Sequence, residues 1–414
     1  MKLYITLTFR CDDKNFLLFI QKVIQTDCTI QSINYISSEH TYKIYKAELV
    51  YTDRRLFKEK ILQWITKECT LIECSDIMNQ GIDGGLLKVS SKIPFETPDE
   101  FEGKVLGYFE LIKDNTITKD TYRYTGISKN IGMIILNEEK NELQPDEIYN
   151  YLLIERDSLI ISHCNNYNPQ PLLLKYKSKE DIIKTLYSVS GNYALMRVAI
   201  MNNIEDISLF HQMSEVTPPI TNREFDEIPI YITVKIMNLL KLHNIKLSDS
   251  VVGFIGVTTS LLRCTRLLNS IGCSKVLGFD PNEKNLYYFE KESGIATSTD
   301  NVFENADILL FVSDICENID YYKLQKGQLV LSNPAIHFDM LISEERGVKA
   351  NEYLNIENSY LLLPGIIDMM LMNDIKTLND NCLINIARAL VKANIDIDNT
   401  ENIYTIKDII KNIQ

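Results

Sequence analysis

Val251-Val252-Gly253-Phe254-Ile255-Gly256-Val257-Thr258-Thr259-Ser260-Leu261-Leu262-Arg263-Cys264-Thr265-Arg266-Leu267-Leu268-Asn269-Ser270 is an apolar run, one glycine, and then an amphipathic run. Val251–Gly256 reads as a short buried strand and Ser260–Ser270 as a helix. About 20 residues past the glycine turn, a second apolar strand, Lys275–Asp280, ends in an acid. This is the layout of a dinucleotide fold, in which backbone N–H groups of the turn reach a pyrophosphate and the acid meets ribose hydroxyls. Gly256, Thr258, Ser260 and Asp280 are therefore the candidate cofactor-binding residues. Of the three glycines in G-x-G-x-x-G only Gly256 is kept. A side chain at Thr258 crowds the phosphate approach, and Leu261 is expected to push the helix off the sheet. NAD binding is expected to be weak or absent. Hydroxyls at this place are also ordinary helix caps, and an acid at a strand end is also an ordinary turn residue.

Working outward, Asp307–Val312, Gln328–Ser332 and Ser359–Leu363 repeat the short apolar pattern with helical stretches between them, which predicts a doubly wound parallel sheet of Rossmann type over 236–414. The first 75 residues have a different order. Lys2–Phe9, Thr29–Ser37, Thr41–Tyr51 and Thr70–Cys74 read as strands, with helices over Asn15–Gln25 and around Leu56, Ile61 and Ile65. The result is a ferredoxin-like βαββαβ unit over 1–77. It resembles an ACT domain, which implies a regulatory module that pairs with another copy and takes a small-molecule effector. The turn Arg10-Cys11-Asp12-Asp13-Lys14-Asn15 lacks the glycine such domains use to meet a ligand; pairing, as a dimer, is unaffected. Gly81, Gly84 and Gly85 mark a linker, and 84–235 is a mixed α/β stretch.

With 414 residues, two to four domains are expected at about 100–200 residues each. A formal charge of −13 argues against broad nucleic-acid or anionic-membrane binding. With no leader-like or spanning apolar segment, a cytoplasmic protein is expected. Nine scattered cysteines without a CxxC pair read as reduced thiols, not as a disulfide framework or zinc module.

The middle region offers the adjacent acids Glu205-Asp206, able to share one hard cation if a third oxygen comes from Glu224 or Asp226; adjacent acids are also an ordinary solvated turn. Several segments, in order, resemble the bacterial malic enzymes: Gly84-Gly85-Leu86-Leu87-Lys88-Val89 with Ser91-Lys92-Ile93-Pro94, Tyr122-Arg123-Tyr124-Thr125, Ile204–Ser208, Ser332-Asn333-Pro334, Asn358 with Leu363-Pro364-Gly365-Ile366, and Ile386-Ala387-Arg388-Ala389-Leu390. The resemblance spans most of 84–395 and implies a malic-enzyme N-terminal-like domain over 84–235 and a NAD-binding-like domain after it. It also implies a divalent cation, Mg or Mn, held by Glu205, Asp206 and Glu224, with Asn333 and Asn358 on the substrate side. The family's general-base lysine falls on Asp157, in Glu155-Arg156-Asp157, and Tyr108 is the nearest counterpart of its proton-donating tyrosine. Lys175 is the nearby amine weighed as a replacement for the missing base, its use depending on geometry. Because members of a catalytic unit fail together, the resemblance implies a catalytically degenerate relative with a regulatory or binding role. The alternative is an active NAD-dependent malic enzyme that converts malate to pyruvate and CO2.

Overall fold

The computed structural model describes residues 3–26, 28–39, 41–51, 57–76, 126–138, 145–199, 207–312, 320–334 and 344–413, with isolated positions 98 and 105. The chain divides into two compact units, Met1–Gly126 and Ile127–Gln414. Among the described residues no helix is long and apolar enough to cross a membrane.

The first unit contains β1 (Leu3–Cys11), α1 (Asp13–Ile24), β2 (Thr29–Glu39), β3 (Tyr42–Tyr51), α2 (Gln63–Glu68) and β4 (Thr70–Asp76). The expected βαββαβ order is present, in an antiparallel sheet of order β2-β3-β1-β4. Alternation does the work here: Ile5, Leu7, Phe9 and Cys11 of β1 point inward and meet Ala47, Leu49 and Tyr51 of β3 and the buried Phe19 and Val23 of α1. Asp12 caps α1, its carboxylate accepting from the Asn15 N–H at 2.8 Å.

The second unit holds two parallel sheets. One contains β5 (Asn130–Glu138), β6 (Asn168–Tyr176), β7 (Leu195–Ala199) and β8 (Ile220–Asn222) in the order β6-β5-β7-β8; α3 (Pro145–Cys164), α4 (Lys179–Ser190) and α5 (Ile207–Val216) lie between successive strands in the chain. After β8 a π-helical turn, Arg223–Glu227, leads directly into α6 (Ile228–Leu242), which is buried along most of its length. The other sheet contains β9 (Val251–Ile255), α7 (Thr259–Ile271), β10 (Lys275–Phe279), α8 (Glu283–Lys291), β11 (Ile295–Ala296), α9 (Thr299–Asn305), β12 (Ile308–Phe311), β13 (Leu329–Ser332) and β14 (Ala350–Tyr353). Its strands run β11-β10-β9-β12-β13-β14, all parallel. Renumbered from β9 this reads 3-2-1-4-5-6, the doubly wound dinucleotide-fold order. A 3-10 turn (Ile356–Leu362), α10 (Leu363–Met372), α11 (Asp380–Ala393) and α12 (Ile403–Lys411) complete the chain.

One expected strand is wrong. Ser359–Leu363 is the end of the 3-10 turn running into α10, whose first turn holds Pro364, and the sixth strand is Ala350–Tyr353. Pro364 fits the first turn of a helix, where no N–H partner is needed. Leu261 does not displace its helix; it is fully buried in the core beneath the sheet. That core is continuous from Ile131, Met133 and Leu195, through Ile230, Val234 and Leu239 of α6, to Val252, Phe254 and Leu310.

Candidate functional site

Met196 and Val198 of β7 pack into the apolar core on one face of their sheet, so Arg197 between them projects to the other face with Leu195. Its guanidinium is 1% exposed and grips two acids. Nε and Nη2 donate to Glu227 Oε1 and Oε2 at 2.8 and 3.1 Å, and Nη1 lies 2.9 Å from Asp157 Oδ2 on α3. Glu227 comes from the π turn, so three elements meet at one cation. Burial disfavours the charged guanidinium, yet the Glu227 and Asp157 carboxylates outweigh it and strengthen its hold on the proton.

Around this centre the charges continue. Arg156 Nε and Nη2 donate to Asp157 Oδ1 at 2.9 and 2.8 Å, and the same guanidinium stacks 4.5 Å over the Tyr360 ring. Glu357 bridges Arg156 Nη1 at 3.4 Å and Arg223 Nη2 at 3.0 Å. Asp226 Oδ2 accepts from Thr221 Oγ1 and the Asn222 N–H, while Oδ1 accepts from Arg263 Nη1 at 2.7 Å. Asp226, weighed as a third cation ligand, is thus fully engaged within the fold. Burial raises its pKa, and Arg263 works against that rise.

Glu224 Oε2, like Asp157 Oδ2 and Arg223 Nε, is buried with no hydrogen-bond partner among the described residues, and no ion pair reaches Glu224 among them. Burial pushes its carboxyl above the usual range, against the pull of Arg223 and Arg197. Glu227 is raised for the same first reason, with Arg197 opposing. An oxygen in Glu224's position either keeps a proton or accepts a cation. Its suggested partners Glu205 and Asp206 lie outside the described residues, as does Tyr108; among the described residues no three acids, histidines or cysteines gather as a metal cluster.

The expectation that Asp157 stands where an amine would serve as base is now set in its surroundings: its carboxylate is clamped by two guanidinium groups. Lys175, weighed as a replacement amine, is exposed on edge strand β6. Asn358 is tied elsewhere. Its Nδ2 donates to Asp398 Oδ1 at 2.9 Å, and Asp398 also accepts from Lys235 at 2.9 Å and from Tyr231. A cleft of about 500 Å3 lined by Lys235, Asn238, Lys241, Glu352, Asn394 and Asp398 borders this network and contains none of the residues expected from sequence.

At the second sheet, Gly256, Asp280 and Asn333 follow the carboxyl ends of β9, β10 and β13, the side on which open α/β sheets take their ligands. Gly256 has φ 85°, a left-handed conformation that favours glycine, and its N–H donates to Phe279 O at 2.8 Å. Thr258 caps α7, accepting from the Leu261 N–H. Ser260 is buried in the first helical turn. Asp280 does not face outward as a ribose acceptor. It is 3% exposed, with Oδ2 accepting from the Val257 N–H at 2.7 Å and Oδ1 from the Asn282 N–H at 2.8 Å. One amide of the phosphate-facing turn is therefore committed to the chain's own carboxylate. Asn333 donates its backbone N–H to Phe311 O at 2.8 Å.

Sequence reading missed Arg197, Arg223, Glu227 and Glu357. One signal was available: Arg197 is the single charge inside Ala194-Leu195-Met196-Arg197-Val198-Ala199, and a cation within a buried strand requires a buried acid.

No protein-family model matches the chain. It is 20% identical over 338 residues to the NAD-dependent malic enzyme of Geobacillus stearothermophilus, covering 74% of this chain and 70% of that enzyme. Among solved structures it is similar to a malic enzyme from Entamoeba histolytica, with a TM-score of 0.63, 14% identity, and coverage of 81% of this chain and 82% of that one. The NAD-dependent malic enzyme of Thermotoga maritima gives a TM-score of 0.64 and 15% identity, over 81% of this chain and 99% of that one. The chain shares the malic-enzyme fold, a mixed α/β architecture with a Rossmann-like parallel sheet.

Proposed function

We propose that this malic-enzyme-related chain does not oxidise malate and serves instead as a regulatory or binding protein. The observation that carries the reading is the clamp on Asp157. A base in hydride transfer from a 2-hydroxy acid must take the hydroxyl proton at the moment of reaction. The carboxylate at the family's base position is only 1% exposed, with Arg197 and Arg156 directed at its oxygens. Those contacts occupy the carboxylate oxygens that would otherwise meet a substrate hydroxyl. The nicotinamide cofactor fits the turn poorly, since Asp280 holds the Val257 amide and is itself buried, and no step is derived through it. In this reading the βαββαβ unit over 1–77 acts as an ACT-like regulatory domain, the chain pairs as a homodimer, and an effector binds that domain.

The residues around Glu224 keep one feature suited to a cation. Among the described residues, three guanidinium groups, Arg156, Arg197 and Arg223, are matched by Asp157, Glu227 and Glu357, leaving Glu224 as the carboxylate in excess. A hard divalent ion, Mg or Mn, would supply the charge that balances it; in malate chemistry such an ion polarises the substrate oxygens. The likeness to NAD-dependent malic enzymes, together with this unmatched acid, supports the second reading of an active enzyme.

The test is a turnover assay with the full chain, manganese or magnesium, malate, and NAD or NADP. No reduced nicotinamide is expected. Turnover within the ordinary enzyme range of about 1–1,000 per second would replace the first reading with the second.

A further inference from the structure

We propose that Cys11 and Cys69 form a reversible disulfide in the first unit, made by thiol–disulfide exchange with a low-molecular-weight disulfide. The placement comes from strand register. In the antiparallel pairing of β1 with β4, Phe9 faces Leu71 and Arg10 faces Thr70. The next step of that register sets Cys11 opposite Cys69, the residue between α2 and β4. Directly opposed residues in an antiparallel pair have Cα atoms roughly 4.5–5.5 Å apart, inside the disulfide range of about 4.4–6.8 Å. Both side chains belong to the same apolar cluster, Cys11 inside it and Cys69 packed against it. At that spacing the bridge asks for a change of rotamer and not of backbone.

The two thiols are unequal in a way that suits exchange. Cys11 is 1% exposed in the apolar core, whereas Cys69 is only partly buried at the C-terminus of α2. Cys69 is thus the attacking sulfur and Cys11 the resolving one. The Cys69 thiolate attacks RS–SR, forming a Cys69–S–S–R bond and releasing RS⁻. Cys11 then loses its proton, its sulfur attacks the Cys69 sulfur, and the second RS⁻ leaves. Two protein thiols and one RS–SR become one protein disulfide and two RSH. The bond closes a loop containing α1, β2, β3 and α2, which ties the end of β1 to the start of β4.

The experiment uses the full chain. It is incubated with excess glutathione disulfide near neutral pH, alkylated after denaturation, and mapped by peptide mass spectrometry. A linked Cys11–Cys69 peptide, lighter by two hydrogens and released by dithiothreitol, is expected. Cys11→Ser should accumulate glutathione on Cys69, whereas Cys69→Ser should leave Cys11 unmodified. The proposal is overturned if the wild-type chain yields no such link while exposed Cys74 takes up glutathione, proving the oxidant competent. It is equally overturned if Cys11 or Cys69 is found linked to another cysteine instead. Because the decisive measurement is on the unaltered chain, a variant that fails to fold does not remove the test.

Discussion

Replacing Asp157 with lysine reverses the charge at the centre of the cluster. In the native fold its carboxylate lies 2.9 Å from Arg197 Nη1 and 2.8 Å from Arg156 Nη2, with Asp157 and Arg197 each 1% exposed. Removing one partner of a buried ion pair costs about 3–5 kcal/mol. Placing an ammonium about 4 Å from a guanidinium adds up to about 4 kcal/mol at an effective dielectric near 20, less whatever the flexible side chain relieves by swinging toward Glu227. Against a typical total stability of about 5–15 kcal/mol, Asp157→Lys should leave the second unit largely unfolded or barely stable. Asp157→Asn, without the repulsion, should lose about 3 kcal/mol. Combining Asp157→Lys with Arg197→Met should recover at least about 2 kcal/mol, because it removes the facing cation and leaves Glu227 to pair with the new amine. Urea unfolding of the four proteins at neutral pH, with equal slopes confirmed, measures these differences. If Asp157→Lys instead unfolds at the wild-type midpoint, and the double variant is no better than the single, Asp157 is not clamped as described. Wild-type stability together with new malate-dependent nicotinamide reduction would show that the turn still takes the cofactor, against the poor fit argued from Asp280.

Gly256→Ala forces an L side chain to φ 85° and should cost about 1–2 kcal/mol in thermal unfolding, whereas an unchanged midpoint would mean the turn relaxes freely. Glu224→Gln has a pH signature. The carboxyl's raised pKa means its ionisation opposes folding, so the variant should gain on the wild type as pH rises through and above the usual carboxylate range, and the gap should close in acid. Manganese should raise the wild-type melting temperature and not that of Glu224→Gln; equal shifts would remove Glu224 from any cation site. Asp398 behaves oppositely. Although burial works against its charge, Asn358, Tyr231 and Lys235 hold its carboxyl below the usual value, so it adds stability that is present at neutral pH and lost on acidification. Asp398→Asn should therefore destabilise at pH 7 and flatten the acid limb below about pH 4, and identical acid curves would count against the network.

The βαββαβ unit and the parallel sheet were legible because their signals are local. Period-two alternation in β1 and β3, and short apolar runs broken by amphipathic helices after β9, survive any tertiary context. The edge strand was not legible. Ala350-Asn351-Glu352-Tyr353 is half polar because it closes the sheet at its rim, while the apolar Tyr360-Leu361-Leu362-Leu363 belongs to a buried helix entrance. Asp280 was located correctly at a strand end, but its orientation depends on an amide 23 residues earlier, a contact no spacing rule contains. The Asp157–Arg197–Glu227 centre joins α3, β7 and the π turn. Only the charge of Arg197 inside an apolar strand announced it.

Helix α6 has a consequence for motion. Its apolar side chains are shared by the cores of both parallel sheets, and it enters directly from the π turn that carries Glu224 and Glu227. Because both sheets pack on this one rod, a wide swing of one sheet against the other would have to break the contacts they share along it. Shared packing of this kind favours shear, in small lateral slips spread over many side chains. A slip along α6 would also pull on Glu224 and Glu227 at its N-terminal end.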